Sequence, residues 1–242
     1  MIHSTKGIVL RTVKYGETSV IASIFTEAFG IQSYIINGVR TQSKTSKAHF
    51  FQSSSILEMQ VYHNDLKNLQ RIKELKWAHL YRSILSDIIK NAVALYMVEL
   101  LQKCLKQPEA TPELFSFCED AFLALDTCTN EIAANFPLYF SMQLAYFLGF
   151  QLNNNYSSEK NIFNLGEGNF SNKSVPQDYP VSTEISSHVS EILKAQHPSE
   201  LNEIKLNKNI RKSILSVMEN YYAIHISDFG VMKTLPVLHE MF

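Results

Sequence analysis

Apolar and polar positions alternate through roughly the first eighty residues, whereas a helical period governs the rest. Extended segments are predicted over Gly7–Tyr15, Ser19–Thr26, Ile31–Val39, Ser55–Tyr62 and about Leu69–Leu75. The tight turn Tyr15-Gly16-Glu17-Thr18 separates the first two, and the second ends near Gly30. In the third, Ile31, Ser33, Ile35, Asn37 and Val39 share one face, and Gln32, Tyr34 and Ile36 the other. Short strands at near-regular spacing with Gly-marked turns favour a small antiparallel barrel over a βαβ sheet. Five strands in this span match the size of an OB fold, whose strand 2–3 face and flanking loops commonly bind oligonucleotides.

After Trp77 the period changes. Leu85, Ile88, Ile89, Ala92, Leu95, Tyr96 and Leu100 predict an amphipathic helix reaching about Lys106. Thr111-Pro112 is a cap and first-turn pair. The helix it opens is expected to bury Leu114, Phe115, Cys118, Phe122 and Leu125. A third helix starts near Asn130, is expected to be disturbed at Pro137, and stops at Gly149. It is apolar almost all round and should form the centre of a bundle. A polar, Asn/Ser-rich excursion follows, with a small hairpin suggested at Phe163–Phe170, and helices return at Ser186–Lys194 and Asn207–Tyr222. The fold class is therefore α+β and multidomain: a five-stranded OB-fold barrel over 1–80, then an all-α bundle over 81–242 with an irregular excursion at 151–182.

Charge sharpens this division. Met1–Leu80 holds 10 Lys/Arg against 5 Asp/Glu, and the remainder 12 against 18, so a chain of formal charge −1 joins a basic region to an acidic one. Such asymmetry suggests that the first region faces a polyanion. The run MIHSTKGIVLRTV is not expected to act as a secretory signal, because Lys6 and Arg11 interrupt its short apolar stretch. Phe136–Phe150, the greasiest run, falls short of the ~20 residues of a membrane span. Three cysteines without a C-x-x-C pair suit a reducing cytoplasm.

The run KGIVLRTVKYGETSVIASIFTEAFG (Lys6–Gly30) resembles the start of RecO, the recombination mediator family of bacterial DNA repair. So does Asn37-Gly38-Val39-Arg40 followed by Ser43, and Tyr221, Tyr222, His225 and Lys233–Leu238 resemble the family's closing pattern. The resemblance covers essentially the whole chain. It implies an OB fold followed by a helical domain. It further implies binding of single- and double-stranded DNA, and annealing of complementary strands without ATP. The implied partners are the acidic tail of single-stranded-DNA-binding protein and RecR, sometimes with RecF, in helping to load the recombinase. Many relatives carry a C-x-x-C zinc element in the helical half. Gln151–Pro180 here holds neither Cys nor His, so no zinc, and no other cofactor, is expected. Asn37 stands where the family often has Lys.

Arg11, Lys14, Arg40, Lys44 and Lys47 fall at strand ends and in the Thr41–Ser53 loop, with Arg71 and Lys73 further on. From the residues alone the first five fit phosphate contact and a solvated strand edge equally well, and the resemblance favours DNA; Arg71 and Lys73, like Lys67 and Lys76, are interleaved with Asp65 and Glu74, which could neutralise them locally. Tyr34, Phe50, Phe51 and Tyr62 are the aromatic candidates for base stacking, with Tyr34 first and Phe50-Phe51 expected to plug a barrel end. In the helical half, Phe115 and Phe122 with Lys103 and Lys106 could form an apolar groove with a basic rim for an acidic partner tail; core packing is the competing reading. No phosphate loop, dinucleotide fingerprint, nucleophile elbow or paired acid/base is legible, so the expected role is non-enzymatic. The rival is a protein–protein adaptor whose barrel binds another protein rather than DNA.

Overall fold

The computed structural model describes residues 1–39, 47–172 and 179–241. Five strands, β1 (Ile2–Tyr15), β2 (Ser19–Thr26), β3 (Gly30–Ile36), β4 (Ile56–Tyr62) and β5 (Gln70–Trp77), close into a barrel in the order β1-β2-β3-β5-β4. All neighbours are antiparallel except β3 and β5, which run parallel and complete the OB fold. β1 is long enough to pair with β2 along one half and β4 along the other. A register shift between Val9 and Arg11 lets it bend around the barrel. At Gly7 a Cβ atom would lie 2.6 Å from both Ile24 and Met59, so only glycine fits where this strand crosses the core.

The barrel core gathers inward residues of β1 to β4, among them Val9, Ala22, Ile24, Tyr34, Leu57 and Val61, and Ile72, Leu75 and Trp77 of β5 pack against it half-buried. Phe51, in a 3-10 turn over Ala48–Phe51, belongs to this core, and Phe50 packs on it with its ring 4.9 Å from Trp77.

Two compact units arise. One joins Met1–Arg82 to Leu101–Leu123; the other joins Ser83–Leu100 to the chain from Ala124 onward. The helices are α1 (Ile88–Cys104), α2 (Pro112–Thr127), α3 (Asn130–Phe147), α4 (Thr183–Lys194), α5 (Lys208–His225) and α6 (Leu235–Met241), with the hairpin β6 (Ile162–Asn164) and β7 (Asn169–Ser171) between α3 and α4. α1 starts later than the apolar pattern suggests, because the Asp87 carboxylate accepts from the amides of Ile89 and Lys90 and caps it there. Its buried side differs in part: Tyr96 and Leu100 of the expected stripe are covered, together with Val93, Met97 and Leu101, while Leu85, Ile88 and Leu95 are exposed. A helix apolar on nearly every side gives the period little to choose between. α3 continues unbroken through Pro137, where every residue from 136 to 142 is buried and the surrounding packing outweighs the one backbone bond the proline forfeits.

In the second unit the excursion is held by aromatic contacts. Phe150 stacks on His225 with centroids 5.1 Å apart, and Phe163 packs on Phe170. His225 Nε2 lies 2.9 Å from the Leu165 carbonyl, and the Tyr221 hydroxyl donates to the Phe150 carbonyl at 2.6 Å. Burial pushes that phenol up to about 12.

Candidate nucleic-acid interface

Register decides which residues share the barrel's outer surface, because directly opposed residues of paired strands point to the same side. One row runs Arg11, Ser23, Ser33 across β1, β2 and β3. The next crosses all five strands: Val13, Ile21, Ile35, Arg71, Tyr62, Ile2. A third pairs Tyr15 with Ser19, whose hydroxyl donates to Asn37 Oδ1 at 3.1 Å. No carboxylate stands in any of these rows. This second row circles the closed barrel and returns to β1, so Val13 and Tyr15 (38% and 51% exposed) stand toward the Arg11 end of β1, whereas Tyr62 and Ile2 (46% and 48% exposed) stand next to Arg71 on the β5–β4 side. Arg11 and Arg71 each stand beside one of these exposed tyrosines, both arginines exposed and neither ion-paired among the described residues. A face of this kind offers π surfaces to bases and guanidinium groups to phosphates.

The cations divide. Lys14 is exposed but pairs with Val20, so it belongs to the inward-pointing row and emerges at the barrel end. Lys47 and Lys73 instead line a separate cleft of about 820 Å³ with Lys6 and Lys76, shared with Glu27, Glu58 and Glu74. There Lys76 sits 2.6 Å from Glu58, whose carboxyl is lowered by that hydrogen bond. Lys73 sits 3.5 Å from Glu74 and donates to Gln60 at 3.3 Å. The carboxylates largely neutralise this cleft. Arg40 and Lys44 lie outside the described residues.

Three expectations are corrected. Tyr34 is 0% exposed: its strand turns Gln32, Tyr34 and Ile36 inward, so its ring fills the barrel core and offers no face to a base. Its hydroxyl has no hydrogen-bond partner among the described residues, and burial alone raises its pKa. Phe115 and Phe122 are likewise buried, Phe115 with its ring 5.5 Å from Phe25 on the barrel wall. They are core and line no open groove. Lys106 is exposed and Lys103 half-buried on that segment. Tyr15 went unnoticed in the sequence, although a tyrosine closing a strand before a Gly turn was the available signal.

The same architecture meets known proteins across its whole length. Residues 1–81 match the family model "Recombination protein O N terminal" and residues 85–234 match "Recombination protein O C terminal". The chain belongs to the RecO family. This RecO-family chain is 32% identical over 243 residues to the DNA repair protein RecO of Christiangramia forsetii, covering 100% of both chains. It is 30% identical over 244 residues to that of Bacteroides fragilis and 29% over 242 residues to that of Azobacteroides pseudotrichonymphae, again covering 100% of each. Membership places it among bacterial DNA repair and recombination proteins. Among the described residues no group of three or more His, Cys, Asp or Glu could hold a metal ion, and no helix is long and apolar enough to cross a membrane. The Cys104 and Cys118 thiols are raised by burial, which keeps them protonated and unreactive.

Proposed function

We propose that this RecO-family protein is a non-enzymatic recombination mediator that binds single- and double-stranded DNA through outward-facing residues of the barrel strands, β1 to β3 and, past β5, the end of β4. The acid-free rows running from Arg11 on β1 to Arg71 on β5, with Tyr15 exposed near the first and Tyr62 beside the second, carry this reading. Arg11 and Arg71 neutralise phosphates, Lys14 adds a charge at the barrel end, and the tyrosines stack on bases of a single strand. Lys47 and Lys73 contribute less, because their cleft is shared with three glutamates. Annealing follows when two strands lose mutual repulsion on a cationic surface and base pairing supplies the drive without ATP. Loading of the recombinase onto coated single strands then requires protein partners: the acidic tail of the single-stranded-DNA-binding protein, RecR and, in some assemblies, RecF.

Annealing of complementary oligonucleotides, bare and pre-coated with the single-strand-binding protein, tests this directly. Wild-type protein should anneal both, and the double reversal Arg11→Glu/Arg71→Glu should lose annealing of bare strands. A doubly reversed protein that anneals as wild type would transfer the barrel's role to a protein partner.

A further inference from the structure

We infer that a second nucleotide subsite lies beside this face, in a groove of about 550 Å³ framed by the turn after β2, the β4–β5 connection and the segment joining α1 to α2; the inference rests on the DNA-binding reading above. Its ligand class is a nucleobase with its attached phosphate, the continuation of a single strand crossing β2 and β3. Phe29, Ile31 and Pro108 give the groove an apolar lining, and Lys67 and Lys106 stand on it as cations. The volume falls within the range of about 300–1,000 Å³ typical of small-ligand sites.

Three observations support a built site. First, the groove is continuous with the face: Ser33 lines it and also stands in the outward row with Arg11 and Ser23. Secondly, its walls are fixed from inside by two buried glutamines. Gln70 donates to the carbonyls of Asn64 at 2.9 Å and Lys67 at 2.6 Å, and its own carbonyl accepts from the Asn64 amide at 3.0 Å. Gln32 donates to the Phe29 carbonyl at 2.8 Å. A groove held this way loses little entropy on binding. Thirdly, Phe29 stacks on His63 with centroids 3.9 Å apart and planes within 15°, so an aromatic pair already stands in the groove. The lining carries one carboxylate, Asp65, which lies 2.8 Å from His63 Nε2.

Photo-crosslinking of the full chain to oligonucleotides carrying single 5-iodouracil substitutions, with peptide mapping, locates the bases. Adducts on Phe29 or His63 are expected, in addition to those on Tyr15 or Tyr62. The variant Lys67→Glu/Lys106→Glu, altered only at exposed positions, should bind single strands about tenfold more weakly, with a salt slope flatter by about 0.7 per lost phosphate contact. Adducts confined to Tyr15 and Tyr62, with the double variant binding as wild type, would overturn the subsite and leave the β2–β3 face intact. Failure of the wild-type chain to bind or crosslink at all would overturn both.

Discussion

Lys6 on β1 donates to both carboxylate oxygens of Glu119 on α2, each at 2.9 Å, and His79 Nε2 meets the same carboxylate at 3.0 Å. Within the barrel unit this pair fastens the helical segment to the strand that spans the barrel. The hydrogen bond to Glu119 raises the Lys6 pKa above its ordinary 10.5, against the opposing pull of burial. A raised lysine contributes its stability below 10.5 and loses it as pH climbs through the folded value. Because Lys6 is more than a third exposed, Lys6→Met should cost only about 1 kcal/mol. Urea midpoints should differ between wild type and variant at pH 7 and converge above pH 10.5; a difference that persists there would contradict the linkage.

Tyr15 and Tyr62 make separable contributions. Each replacement by alanine should weaken single-strand binding by about 1–3 kcal/mol while leaving duplex affinity nearly unchanged, because only unpaired bases can stack on them. Anisotropy with the two substrates measures both.

Tyr34 carries a buried hydroxyl with no partner among the described residues. Tyr34→Phe removes a desolvated polar group without opening a cavity, so stability should rise by up to about 1 kcal/mol. DNA affinity should not change. Thermal melting and anisotropy on the same preparation check the pair of outcomes.

Gly30 and Gly38 share a left-handed backbone, at φ +60° and +71°. A Cβ at Gly30 would strike the Glu109 backbone, whereas one at Gly38 meets nothing within 4 Å among the described residues. Both alanine variants incur the conformational cost of about 1 kcal/mol. Gly30→Ala should lose clearly more, and equal losses in chemical denaturation would deny the close approach.

Glu99 anchors the residues just ahead of the last helix. Its carboxylate accepts from the amides of Lys233 and Thr234, each at 2.8 Å, and from the Thr234 hydroxyl at 2.6 Å. Glu99→Ala should accelerate amide exchange across Lys233–Met241 and leave the barrel strands as protected as in wild type.

Period-two alternation bounded by Gly-marked turns made the strands legible: β2 emerges over the residues the pattern indicates, and the others differ by a few residues at their ends. The α2 stripe was equally readable, with Leu114, Phe115, Cys118, Phe122 and Leu125 all buried. α1 was legible as a helix but its buried side only in part, with Tyr96 and Leu100 inside and Leu85, Ile88 and Leu95 exposed, because its apolar residues surround the helix. α6 has no clear local signal because its seven residues make only about two turns and the residues ahead of it are held by Glu99 from far along the chain.

Sequence alone determined that a basic strand-rich module precedes an acidic helical one, since alternation, turn residues and charge are local properties. Tertiary structure decided which side of each strand faces solvent. Alternation separates Tyr34 from Ile35 but cannot say which is inside, because both are apolar enough for either place. Only barrel closure, which aligns Val13, Ile21, Ile35, Arg71 and Tyr62 in one outward row, resolves that choice.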